Sequence, residues 1–174
     1  MIFTTISYDG APNAAPIGLH MKDEKIFARI YNSKSLDNIV AKKKAAANII
    51  YDPFLFVESA LSDIQPDNFE HGGRFPVLKE AMGWIIFDCR VRKGETISFV
   101  ELSPVEAQIK HRQMKPINRG FNAVIEATVE ATRYVVLKDT KYLDRIEYYD
   151  TIVRKCGGLR EKEAMKLLFE LIGK

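Results

Sequence analysis

Gly10-Ala11-Pro12-Asn13-Ala14-Ala15-Pro16-Ile17-Gly18 and Arg29-Ile30-Tyr31-Asn32-Ser33-Lys34-Ser35-Leu36-Asp37-Asn38 are the two stretches that decide how this chain reads. The first is a strand entry made of small residues and proline, where β-branched side chains would ordinarily be preferred. Small side chains let backbone approach a flat ring, and proline keeps main-chain groups out of a regular ladder. The second places Arg29, Ser33, Lys34 and Ser35 where a strand gives way to a helix. Unpaired N–H groups in a first helical turn, the positive end of the helix dipole, two hydroxyls and two cations suit a phosphate monoester. Both stretches also admit a plainer reading: a bulged edge strand, and a Ser35 cap flanked by solvated charges.

Working outward, residues 2–7, 14–21 and 26–31 read as strands joined by tight turns, an antiparallel meander. A short helix is expected from about Ser35 to the Lys42-Lys43-Lys44 end, then a strand over 46–51. Asp52-Pro53 is an N-cap followed by proline at the first helical position, predicting a helix through Leu61. Residues 62–82 carry Pro66, Gly72, Gly73 and Pro76 without periodicity and read as a long loop. Within it, His71-Gly72-Gly73-Arg74 is either a cover for a substrate or nucleotide phosphate, or simply solvated loop. Strands return over 84–92 and 96–109 and should complete a sheet that closes on itself. Beyond Pro116 the apolar period becomes three and four residues, through Phe121, Val124, Ile125 and Thr128, then Leu143, Ile146 and Tyr149, then Ala164, Met165 and Leu168. The expected organisation is therefore a strand-built domain over 1–115 and a three-helix extension over 116–174.

Composition narrows the function classes. With 174 residues, 47% of them hydrophobic, the chain can bury a real core as one domain or one domain with an appendage. Its 26 Lys and Arg against 23 Asp and Glu leave a charge of only +3, which argues against nucleic acid as a partner. Lys42-Lys43-Lys44 lacks interleaved aromatics and reads as a solvated helix end. No stretch approaches the roughly 20 apolar residues that span a bilayer, so no membrane partner is expected. Cys89 and Cys156 have no metal-ligand or redox spacing, which points to a reduced, cytoplasmic protein. His20, His71 and His111 stand far apart without paired ligands, so no metal is assigned. Walker, Rossmann and Gly-x-Ser-x-Gly fingerprints do not occur.

The order Gly-x-x-Asn-x-x-Pro, then Arg29 on a strand, then Ser33-Lys34-Ser35-x-x-Asn38 at a helix start resembles the FMN-binding split β-barrel of flavin reductases and pyridoxamine-phosphate oxidases. The segments 116–127 and Lys155-Cys156-Gly157-Gly158 with Glu163-Ala164-Met165 resemble a mainly archaeal branch of that fold, one with a helical C-terminal extension. The resemblance implies FMN as cofactor. Asn13, Ala14, Ala15, Pro16 and Ile17 would line the isoalloxazine, while Arg29, Ser33, Lys34, Ser35 and Asn38 would hold the ribityl phosphate. Lys34 and Ser35 stand where the family commonly has arginine and threonine, so charge and hydroxyl persist without the planar guanidinium fork. Asn118 and Arg119 would either reach the flavin or cap and brace the helix they precede. The resemblance further implies a homodimer with flavin near the interface. Activity would be that of a flavin reductase-like oxidoreductase fed by NAD(P)H, or alternatively the protein is a non-catalytic flavin carrier. Because the cofactor carries such chemistry, no side chain is assigned a catalytic role.

Overall fold

The computed structural model describes residues 1–72 and 74–174, and the chain divides into two compact units. One comprises residues 1–51 and 64–113; the other comprises 52–63 and 114–174.

The first unit is a curled sheet of seven antiparallel strands. They are β1 (Ile2–Ile6), β2 (Pro12–Pro16), β3 (Leu19–Lys22), β4 (Lys25–Tyr31), β5 (Lys44–Ile49), β8 (Gly83–Arg92) and β9 (Ile97–Ile109). A separate hairpin of β6 (Phe69–Gly72) and β7 (Phe75–Leu78) lies between β5 and β8 in sequence. In the large sheet the strands are ordered β2-β1-β5-β8-β9-β4-β3. Its first and last members are thus joined in sequence by Ile17 and Gly18 alone. Laid flat, six inter-strand gaps would hold those edges about 29 Å apart, whereas the three Cα steps from Pro16 to Leu19 reach at most about 11 Å. The sheet must therefore curl until its edges meet, and the seam between β2 and β3 is where the barrel is split. The expected meander is replaced by two hairpins, β1-β2 and β3-β4, at opposite ends of the strand order.

Side-chain alternation shows what the curl encloses. Phe3, Ala28, Ile30, Ala45, Ala47, Phe87, Cys89, Val100 and Leu102 face one core, and Ile17 at the seam joins them. Leu36 and Ile39 of α1 (Lys34–Lys42) reach into the same core. The intervening residues Ala46, Trp84 and Ile86 face outward against Phe75 and Val77 of β7. The segment 62–82, expected as loop, thus supplies a hairpin that covers the barrel's outer face. Thr4 Oγ1 donates to the Pro76 carbonyl at 2.6 Å, and the Leu78 N–H donates to Asn48 Oδ1 at 2.8 Å, fastening that cover. Gly73, part of the His71 to Arg74 run singled out above, lies outside the described residues.

The second unit is helical: α2 (Pro53–Leu61), α3 (Arg119–Leu137), α4 (Thr140–Cys156) and α5 (Leu159–Leu171). Val57 of α2 packs with Ala123, Val124, Ala127, Ile146, Val153 and Leu168 in one core. Asp52 caps α2, accepting from the Phe54 and Leu55 N–H groups at 2.8 and 3.2 Å, with Pro53 at the first helical position as expected. Among the described residues no helix is long and apolar enough to cross a membrane.

Candidate functional site

The start of α1 is positioned by two buried hydrogen bonds to strands distant in sequence. Asn13 Nδ2 on β2 donates to Ser35 Oγ at 3.0 Å, and Asn38 Nδ2 donates to Thr5 Oγ1 on β1 at 3.0 Å. All four side chains are nine-tenths buried or more. The outermost turn stays at the surface, with Ser33 and Lys34 exposed. Ser33 is the N-cap: its hydroxyl accepts from the Leu36 N–H at 3.4 Å, and its carbonyl accepts from the Asp37 N–H at 3.1 Å. The Ser35 N–H has no acceptor within the helix, as first-turn donors do not. A pinned helix N-terminus with a neighbouring lysine is a place for an anion.

Lys34 also faces an acid. The Asp9 carboxyl is held below the ordinary carboxylate range, first by the Ser7 hydroxyl, then by backbone at Ala11 and by the charge of Lys34. The turn containing Asp9 and Gly10 therefore stands near the helix start; Gly10 adopts φ +92°, which suits glycine there. Lys42, at the other end of α1, donates to the Tyr8 carbonyl at 3.2 Å and further fixes that turn.

The alanine-rich strand presents its backbone in a specific way. The Ile17 N–H donates to the Met1 carbonyl and the Ser7 N–H to the Ala11 carbonyl, so odd-numbered residues of β1 and β2 exchange the ladder's hydrogen bonds. Ala14 lies between such pairs, so its N–H and C=O turn away from β1, where β2 has no strand neighbour. Pro12 and Pro16 share that orientation, so their missing N–H groups cost the ladder nothing. The strand edge thus offers one donor and three carbonyl acceptors, at a buried Ala14 flanked by half-buried Pro12 and Pro16. A planar heterocycle with alternating donors and acceptors on one edge suits such main chain.

On the outer side of β1 and β2, a cavity of about 260 Å³ lies against the hairpin, with Pro12, Phe69 and Pro76 among its walls and His71 and Arg74 also lining it. Sequence reasoning had no signal for Thr5, nor for the edge of Ala14, because each depends on pairing with a remote segment.

The remaining expected residues fall in two places. Arg29 is exposed on β4, its guanidinium 5.8 Å from the centre of the Phe99 ring, with Arg92 5.1 Å from the same ring. Asn118 and Arg119 belong to the helical unit. Asn118 caps α3 by accepting from the Phe121 N–H at 3.1 Å and donates to Glu161 Oε1 at 2.9 Å; Arg119 is exposed. Glu161 also accepts from the Gly158 N–H at 2.9 Å, closing the corner between α4 and α5. A Cβ on Gly120 would stand 2.5 Å from the Gly157 Cα, so these glycines let α3 abut that corner. No cluster able to hold a metal ion occurs among the described residues.

A curled antiparallel sheet split between β2 and β3, with α1 entering its core, defines a split barrel of the flavin reductase-like kind. The styrene monooxygenase flavin reductase SMOB of Pseudomonas putida S12 shares this fold, with TM-score 0.53 and 10% identity over 63% of this chain and 80% of that one. A flavin reductase domain protein of Arthrobacter sp. FB24 does likewise, with TM-score 0.52 and 17% identity over 67% and 86%. The chain belongs to the family described as protein of unknown function DUF447, whose N-terminal domain matches residues 1–111 and whose C-terminal part matches 118–170. It is similar to the FMN-bound protein MM1853 of Methanosarcina mazei, at TM-score 0.91 and 43% identity, covering 98% of this chain and 93% of that one. It is also 21% identical to the uncharacterized protein MJ1453 of Methanocaldococcus jannaschii over 96% of this chain and 94% of that protein.

Proposed function

We propose that this protein binds FMN and serves as a flavin reductase-like oxidoreductase. The observation that carries the reading is the likeness over nearly the whole chain to MM1853, which holds FMN. The residues present fit that group. Ser33, Lys34, Ser35 and the N–H groups of the first turn of α1 would hold the phosphate, with Arg29 as a second cation and Asn38 keeping the turn in place. Asn13, Ala14, Ala15, Pro16 and Ile17 would lie along the ring, Ala14 meeting its polar edge with N–H and C=O. When bound, FMN supplies hydride and electron transfer; the chain's part is to orient the ring and exclude water from it.

The cavity beside Pro12, with His71 and Arg74 in its lining, supports entry of a second ligand such as NAD(P)H. A homodimer in the cytoplasm completes the proposal. The free thiols of Cys89 and Cys156 suit a reducing compartment.

The test removes charge from two exposed side chains. Arg29→Gln with Lys34→Gln should weaken FMN by about tenfold or more while leaving riboflavin within about twofold, because only FMN carries the phosphate. Flavin fluorescence quenching measures both. Equal losses would overturn the phosphate assignment, and a protein that takes up neither flavin would overturn the cofactor.

A further inference from the structure

We propose a second ligand site, for a small carboxylate with an apolar body, at the far end of α1 from its capped start. A cavity of about 460 Å³ is lined there by Val40, Lys43, Cys89, Arg90, Val91 and Lys93. Its size lies within the range of small-molecule sites. Three features act together.

The first is charge. Lys43, Arg90 and Lys93 form no ion pair with any described residue. Of the carboxylates on the neighbouring strands, Asp88 is bound by Lys44, and Glu101, opposite Arg90 in the sheet, lies 4.0 Å from Lys25. Three cations around one cavity make an anion the favoured occupant.

The second is a directed main-chain donor. The Cys89 N–H donates to the Lys43 carbonyl at 2.8 Å, which fixes which β8 residues turn toward β5. Two residues on, Val91 has the same orientation, but β5 begins only at Lys44 and its pairing with β8 ends at Asp88. The Val91 N–H is therefore aimed at the cavity side of β8, where no strand accepts from it. Lys43 is itself held in the left-handed region at φ 52°, its N–H donating to the Ile39 carbonyl at 2.8 Å, so the cavity's cationic corner is anchored backbone.

The third is an apolar floor. Cys89 belongs to the barrel core and Val40 and Val91 pack against it, so the body of a ligand would meet hydrocarbon while its charge meets the rim. Binding is non-covalent, because burial, with Asp88 adding to it, pushes the Cys89 thiol up to about 12.

The experiment is calorimetric titration of the full chain, with and without saturating FMN, using phenylacetate as probe and 2-phenylethanol and inorganic phosphate as comparisons. Phenylacetate should saturate in both conditions and bind about tenfold more tightly than either comparison, since only it joins anion to apolar body. In 1H–15N spectra of the unaltered protein, the Val91, Cys89 and Lys43 amides should shift with the same dissociation constant. Arg90→Gln with Lys93→Gln, both exposed, should cost about tenfold. The proposal is overturned by absence of saturation up to about 10 mM, by equal binding of the neutral alcohol, or by shifts at residues 33–38 in place of 89–93. Competition by FMN would also overturn it, by making this cavity part of the flavin site.

Discussion

The two units use buried polar groups for different ends. In the barrel they are neutral side chains: Thr4, Thr5, Asn13, Ser35, Asn38 and Asn48 bond across elements far apart in sequence, and Ser98 accepts locally from the Gly94 N–H. In the helical unit they are mostly carboxylates. Glu130 takes Arg133 at 2.9 Å and Arg145 at 3.4 Å, Asp150 takes Arg154 at 2.6 Å, and Glu161 takes Asn118 and the Gly158 N–H. Neutral hydrogen bonds hold position without burying a charge, so the charges at the α1 start are those of exposed groups, Lys34 and the Asp9 it faces, which a ligand can displace or join. The carboxylates instead consume nearby positive charge at helix corners. Position in the barrel should therefore govern ligand affinity, and packing in the helical unit should govern stability.

The sharpest way to break that contrast is Gly120→Val. The added side chain collides with backbone at Gly157, which cannot step aside as a flexible side chain would. Overpacking of this kind should cost roughly 3 kcal/mol or more, read as a fall in thermal midpoint by circular dichroism. FMN affinity below the transition should be unchanged. If FMN affinity collapses while the protein remains folded, Asn118 and Arg119 belong to the flavin site and the division of labour fails.

Next in size is Asn38→Ala. It strands the Thr5 hydroxyl in the interior and should cost about 1 to 3 kcal/mol, but here FMN should weaken together with stability, because α1 loses one of its two strand anchors. Parallel denaturation and flavin titrations measure the pair of effects. A stability loss with FMN binding intact would mean that Asn13 and Ser35 alone fix the helix start.

These residues also show what could be read in advance. Asp52-Pro53 announces α2 because cap and proline are local chemistry, and Pro12 and Pro16 announce an edge strand because neither can donate to a ladder. A helix start close to Ser35 is legible for the same reason, but its cap is not: the hydroxyl that caps α1 is that of Ser33, while Ser35, the expected cap, lies inside the helix and turns to Asn13. The Asn13 to Ser35 bond is not, since nothing local says which strand will lie beside α1. Nor is the joining of β2 to β3 across the split, where neighbours in sequence end at opposite ends of the strand order. The β6–β7 hairpin hid behind Pro76 and its glycines, although Phe75-Pro76-Val77-Leu78 is a short apolar run of the kind a buried strand shows. Membership of α2 in the helical unit rests on Val57 packing in one core with α3 and α5, across more than sixty positions of chain.

The smallest expected effect tests the charged side of the comparison. Glu58 on α2 has its carboxyl raised above the ordinary value of 4.5, chiefly by burial, with Asp52 adding to the rise and Arg160 opposing it. Arg160 is itself drawn to Asp52 at 2.8 Å and lies over the Phe54 ring at 4.4 Å, so its charge is largely committed elsewhere. A carboxyl whose folded pKa is raised keeps its proton longer in the folded state than in the unfolded one. Stability from this group therefore falls as pH climbs from 4.5 through the raised folded value, and is level above it. Glu58→Gln removes the cost of burying the charge and should stabilise the protein at pH 7, by less than about 0.5 kcal/mol because solvent screens a half-buried group. As pH falls through and below 4.5 the difference between variant and parent should fade, because the unfolded chain takes up the proton as well. Urea denaturation at pH 4 and pH 7 measures the difference. A variant less stable than the parent at pH 7 would show that Arg160 serves Glu58 as a true partner, and that this carboxylate is paired like Glu130 and Asp150.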